Sequence, residues 1–436
     1  MNAKWCKAVS GCLALIALTN GACSSKDTSV THPSDAGRDG TLGAAGRQTG
    51  VGGTSATGGA TSHPAAGGAP ASGGETGISD AAVPGTDAQK EPIILGAAIA
   101  AGTNHMCLLT TAGNVRCWGS DDHGEVGDPA TVGRGNDPGT HAVPGLAGAI
   151  AVSAGFDESC AILADHKAWC WGSNDKGQLG RGTALPPDTA PHVVPGLVEG
   201  VDGVIQIAIG ATHACAVLGT GELACWGSHE DGERGANVDG GAVTASTSSL
   251  VTFQPSVVVK QVATGASFTC ALTSLGTVIC FGDNSVGQLG RPSQTAPRDP
   301  VPTMVPSLAN VTEIAAGGST ACALQKSGII QCWGWGTYGQ LGRGPNDGAS
   351  PLPGPTPVPV VLPAGHTAKH VALSPGSKLP EGIGCALLDD DTVACWGSNF
   401  WGQAGTGTVG KNDNVTPGAI FTPEVVRGIP GKPVAI

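Results

Sequence analysis

From about residue 91 onward the chain alternates short apolar runs with glycine-rich polar turns, and no stretch carries the apolar spacing of a long amphipathic helix. Runs such as VIQIA at 204–208 and VTEIA at 311–315 have the length of a strand, and each leads through a small residue to glycine. Second and third runs follow, and then a turn such as GSNDKGQLG at 172–180, GDNSVGQLG at 282–290 or GWGTYGQLG at 334–342. Looser copies of this turn read GSDDHGEVG, GSHEDGERG and GSNFWGQAG. A proline-containing segment then ends in a short apolar run, as in HVVPGLV at 192–198, TPVPVV at 356–361 and TPEVV at 422–426. Four short strands per unit are predicted.

The turns open at Gly119, Gly172, Gly227, Gly282, Gly334 and Gly397, at intervals of 53, 55, 55, 52 and 63 residues. Repeats of this length mean a stacked array or a propeller. A single four-stranded antiparallel unit has two apolar faces and bare edges, and setting several around an axis buries those faces against neighbours. Trp118, Trp171, Trp226, Trp333 and Trp396 precede the turn glycine, with Phe281 in the fourth copy. An aromatic recurring at one position is expected to pack between blades. The fold class is therefore all-β: a β-propeller of four-stranded antiparallel blades built from six repeats. Six blades are expected, or seven if the terminal pieces complete another. The runs at 423–426 and 434–436 read as a fourth strand and the opening of a further first strand, a clasp that would close the ring.

The ordered elements Ala-Gly before the second strand, Trp-Gly after the third, and Gly-Gln-Leu-Gly at the end of the turn resemble the regulator of chromosome condensation repeat. The likeness covers residues 91–436. It implies a propeller, often of seven blades. One relative of this architecture inhibits β-lactamase, an analogy no motif here places on particular residues. The guanine-nucleotide exchange of the nuclear founder fits poorly with a chain that is exported and acidic.

Twelve of the 15 cysteines form six pairs, Cys107 and Cys117, Cys160 and Cys170, Cys215 and Cys225, Cys270 and Cys280, Cys322 and Cys332, Cys385 and Cys395. A three-residue hairpin loop would set the members of each pair directly opposite one another. The last position of that loop favours a left-handed backbone, and it is Gly113, Gly221, Gly276 or Gly328 in four copies and His166 or Asp391 in two. Opposed cysteines at a non-hydrogen-bonded position lie near the Cα separation a disulfide accepts. Nine intervening residues do not suit zinc pairs, which usually have about two to four. Disulfides are favoured over metal ligation and over buried free thiols.

The amino terminus changes the setting. Residues 1–22 carry Lys4 and Lys7 and then an apolar segment before small residues, which reads as a secretory signal. Cys23 stands where bacterial lipoproteins are acylated, although Asn20 departs from their usual leucine. Residues 23–90 are rich in Gly, Ala, Ser, Thr and Pro and should form a disordered tether reaching roughly 45 Å. The domain plan is a signal peptide at 1–22, the linker at 23–90 and the propeller at 91–436.

The net charge of -12 lacks the electrostatic footprint of a nucleic-acid binder. No GxSxG, HExxH or phosphate-cradling motif is present, and no catalytic residue, cofactor or metal is assigned. The acidic turn residues Asp121, Asp122, Asp175, Glu230 and Asp231 lack the spacing of a calcium loop and are expected to be solvated. His105 and His213 occupy one structural position in two copies. Trp335 and Tyr338 of the fifth copy and Phe400 and Trp401 of the sixth fall in equivalent turns, hence on one face of adjacent blades. The expected function is a monomeric, secreted, lipid-anchored scaffold of the cell envelope that binds a protein or envelope ligand there, without enzymatic activity. Its membrane contact would be the lipid alone. The alternatives are an exported enzyme acting on polysaccharide, through paired carboxylates in a cleft, and an enzyme-inhibitor propeller.

Overall fold

The computed structural model describes residues 98–133, 135–182, 188–235, 244–292, 297–344, 354–375, 382–407 and 418–428. The expected signal segment at 1–22, Cys23, the expected linker at 23–90, residues 91–97, the run at 434–436 and most of a sixth-copy loop at 375–382 lie outside these residues. The described residues form six four-stranded antiparallel sheets and no helix. Blade one shows the plan: β1 (Ala98–Ala101), β2 (His105–Leu109), β3 (Val115–Ser120) and β4 (Asn136–Ala142) pair in chain order. Each later blade repeats that order, so the protein is a six-bladed β-propeller. The predicted fourth strands are found at Asp188–Leu197, Gly354–Pro359 and Ala419–Val425.

Inside each blade the second and third strands meet through the expected three-residue loop. Thr110 N–H donates to Asn114 O at 2.8 Å, leaving residues 111–113 as the loop. The last loop residue has positive φ in every blade, including His166 at 60° and Asp391 at 67°. This loop aligns each cysteine with its partner, and all six pairs are bonded, with Cα separations of 4.1–4.2 Å. Six such bridges fit an oxidising, extracellular setting.

Between blades the joint is aromatic on glycine. Trp171, Trp226, Trp333 and Trp396 are 0% exposed. Each donates its indole N–H to a carbonyl in the turn of the preceding blade: Trp171 to Glu125 at 2.9 Å, Trp226 to Gln178 at 2.7 Å, Trp333 to Gln288 at 2.9 Å, Trp396 to Gln340 at 2.9 Å. The turn's last glycine lies under the ring. At Gly180, φ is 65° and an added Cβ would sit 3.0 Å from Trp226, so backbone conformation and proximity both require glycine. A second joint lies nearer the axis. Gln206 of blade three receives Val262 N–H at 2.9 Å and donates to Val262 O at 3.0 Å, and Gln261 of blade four treats Ile314 alike. His105 and His213 make a third, with Nε2 at 2.8 Å from Ser159 Oγ and 2.9 Å from Thr269 Oγ1 of the next blade.

These joints fill five junctions with continuous apolar clusters, from blades one and two through blades five and six. Among the described residues no cluster joins blade six to blade one. Trp118, expected to pack between blades like its counterparts, is accordingly half-buried. Gln403 of blade six is exposed, whereas Gln178, Gln288 and Gln340 are buried beneath the next blade's tryptophan.

Removing a ring from a filled junction should cost far more than removing Trp118. Trp226→Ala is expected to lower stability by about 3–5 kcal/mol and Trp118→Ala by under about 2 kcal/mol, measured by urea unfolding. Burial holds the His213 imidazole down at about 3 and that of His105 at about 4. The unfolded chain takes up these protons below about pH 6.5 while the folded one does not, so this stability is present above pH 6.5 and is lost on acidification. Glu158, raised by burial, acts in the opposite sense, losing its contribution as pH rises. Replacing His213 by Phe, which blade four carries as Phe268, should remove about 2 kcal/mol of the stability difference between pH 7 and pH 5. An unchanged slope in the variant would refute this assignment.

Candidate partner-binding face

The residues just before the second glycine of each turn are, in order, His123, Lys176, Asp231, Val286, Tyr338 and Trp401, and four of them reach the following blade. His123 Nδ1 lies 3.7 Å from Asp157 of blade two, Lys176 Nζ 2.9 Å from Glu230 of blade three, and Asp231 2.9 Å from Arg298 of blade four. Tyr338 meets Phe400 of blade six edge-on, with ring centroids 5.5 Å apart. Position and chain geometry are shared; the side chain determines whether the bridge is ionic or aromatic.

Trp401 occupies the same position in the last blade, where no described cluster receives it, and it is 81% exposed. The four aromatic residues singled out in the sequence thus have different surroundings. Phe400 and Tyr338 touch and are half-buried, and Phe400 lies so close over Gly418 that an added Cβ there would collide with its ring. Trp335 is half-buried, with its indole nitrogen enclosed and without an acceptor. Exposing a tryptophan to water is unfavourable, and Trp401 adjoins a pair of rings that fixes its turn.

The acidic turns differ from expectation in one respect. Asp121 is not solvated: it is fully buried, accepting from Val126 N–H at 2.9 Å and Thr131 Oγ1 at 2.6 Å. Sequence reading missed these acceptors because the partner Thr131 belongs to a segment with no counterpart motif. Asp231 is also largely buried, against Arg298.

A catalytic cleft at the axis finds no support among the described residues. The innermost strands close on Ala100, Ala154, Ala208, Ala263, Ala316 and Leu373, around a cavity of about 30 Å³. That is room for roughly two waters, far below the several hundred Å³ of a ligand pocket. No carboxylate lines it.

Known proteins share this architecture. Human HERC2, an E3 ubiquitin-protein ligase, is 29% identical over 345 residues, which cover 77% of this chain but 6% of that protein. The Ultraviolet-B receptor UVR8 of Arabidopsis thaliana is 27% identical over 312 residues, 71% of this chain and 66% of the receptor. The chain therefore spans only a small part of the ligase it matches. Among solved structures, human WBSCR16 aligns with a TM-score of 0.65 at 21% identity, covering 78% of this chain and 84% of that one. Yeast RCC1 (Prp20), solved bound to Kap60, aligns with a TM-score of 0.62 at 22% identity, covering 74% of each. The RCC1 repeat model matches residues 97–125 and the RCC1-like domain model residues 133–436. With six blades joined by the Trp-Gly turn, this chain belongs to the RCC1-like domain family.

Proposed function

We propose that the protein is an exported scaffold, anchored through an acylated Cys23 and held out by the linker at 23–90, that binds a protein or envelope ligand through the turn face of blades five and six. The observation that carries this reading is Trp401. It is a large apolar side chain left 81% exposed at the position that bridges blades elsewhere, beside the Tyr338–Phe400 pair. Six disulfides support an exported head, and the protein complexes formed by yeast RCC1 (Prp20) support a protein partner. The small, carboxylate-free axial cavity favours binding over glycoside cleavage.

Trp401→Ala should leave the thermal midpoint unchanged, because the ring packs on little, and should weaken partner capture from envelope extract by about tenfold or more. Equal recovery of every partner by wild type and variant would remove this face from consideration. Mass spectrometry of the mature amino terminus should find a diacylglyceryl-modified Cys23, and a free, unacylated terminus would refute the anchor.

A further inference from the structure

Blade one departs from the four glutamine-bearing turns at an atom that matters. Blades two, four, five and six close their turns with Gln178, Gln288, Gln340 and Gln403, whereas blade one has Glu125. The shared role of this side chain is to accept a backbone N–H from the residue two positions earlier. Lys176 N–H donates to Gln178 Oε1 at 2.8 Å, and His123 N–H to Glu125 Oε2 at 2.8 Å. In the amide turns the other terminal group is a donor, as where Gln178 Nε2 reaches Asp175 Oδ1 at 3.0 Å. In blade one it is a second oxygen, Glu125 Oε1, which is buried and receives no hydrogen bond. Leaving a buried carboxylate oxygen unmatched is costly unless a proton or a cation completes it.

The surroundings supply the other donors. One ligand atom each from His123, Glu125 and Asp157 lie within 4.8 Å of one another. Behind them Glu158 is 0% exposed, accepts Asp157 N–H through Oε2 at 3.1 Å, and has a second oxygen with no partner. Blade three also has a glutamate at the turn position, Glu233, whose Oε1 is likewise buried without a hydrogen bond, but there the next residue is the buried Arg234 and, among the described residues, no His, Asp and Glu ligand atoms gather around it. In blade one the residue matching Arg234 is the apolar Val126. Two buried carboxylates thus share this junction with no lysine or arginine at the position where blade three carries one.

We infer that His123, Glu125 and Asp157 form a binding site for a divalent transition-metal cation of the zinc class, backed by Glu158, at the junction of blades one and two. An imidazole among the donors selects zinc over calcium or magnesium, which take oxygen ligands. Zinc bonds of about 2.0–2.1 Å place neighbouring tetrahedral donors roughly 3.3 Å apart. The 3.7 Å between His123 Nδ1 and Asp157 Oδ2 needs only a small approach, and His123, with 48% of its side chain exposed, has room to make it. The trio of His366, Asp389 and Asp390 differs in that a 2.8 Å His366–Asp389 hydrogen bond and the bonds Asp390 accepts from Thr392 already engage its members.

The test is calorimetric titration of the chelator-stripped full chain with zinc chloride, alongside thermal unfolding. Wild type should bind zinc and melt higher in its presence. Glu125→Gln installs the side chain four sibling turns carry, so it should fold normally yet bind zinc at least about tenfold more weakly and lose the thermal shift. His123→Ala, at an exposed position, should behave alike, while His366→Ala should retain wild-type binding. Absence of a zinc-dependent shift in wild type, or wild-type binding by both the Glu125 and His123 variants, would overturn the site. A shift with calcium chloride that survives His123→Ala would overturn the assigned metal class.

Discussion

The propeller depends on a ring in one blade lying on a glycine in the blade before it. Four of the five filled junctions combine a flat aromatic with a donor at its edge, a carbonyl to receive that donor, and a residue without a Cβ beneath the ring. The four fully buried tryptophans meet all three conditions. The joint between blades three and four shows what happens when one is changed. Phe281 keeps the apolar ring over Gly235 but has no donor, and the turn beneath it is correspondingly altered, with Arg234 buried where the Gly-Gln-Leu-Gly turns place leucine.

Stability within a blade and stability between blades have separate sources. Within a blade, hairpin register is set by a three-residue loop ending in positive φ, and a disulfide ties the two middle strands where that register brings the cysteines face to face. Between blades, apolar burial dominates, oriented by the indole hydrogen bonds and the Gln206 and Gln261 clamps. Among the described residues these six blades make five filled junctions, and Trp118 on the first blade and Gln403 on the last hold the positions that form a joint elsewhere.

The turn face is where the repeat permits variation. Its glycines and its N–H acceptor are structural, but the residue before the second glycine is free, and it is His123, Lys176, Asp231, Val286, Tyr338 or Trp401. Each choice changes the local chemistry without disturbing the fold, because the backbone hydrogen bonds of the turn are the same. Replacing the acceptor glutamine by Glu125 is more consequential, since it exchanges a buried donor for a buried acceptor.

The repeat count, strand order, the disulfide pairing and the aromatic joint were legible in the chain because each is a local pattern repeated six times, and a hairpin's register follows from its own loop, whereas six blades rather than seven was decided by the structure. His166 and Asp391 could be placed at positive φ for the same reason. The pairing of Tyr338 with Phe400, the exposure of Trp401, the burial of Asp121 and the half-buried state of Trp118 were not legible. Each depends on what the adjacent blade or a non-repeated segment presents, more than 50 residues away for Phe400 and at the opposite end of the array for Trp118. By itself the sequence determined the unit and its internal bonds, since those are short-range. Only the tertiary structure decided which copies of one motif face a neighbour and which face water, because that depends on a residue's place in the ring.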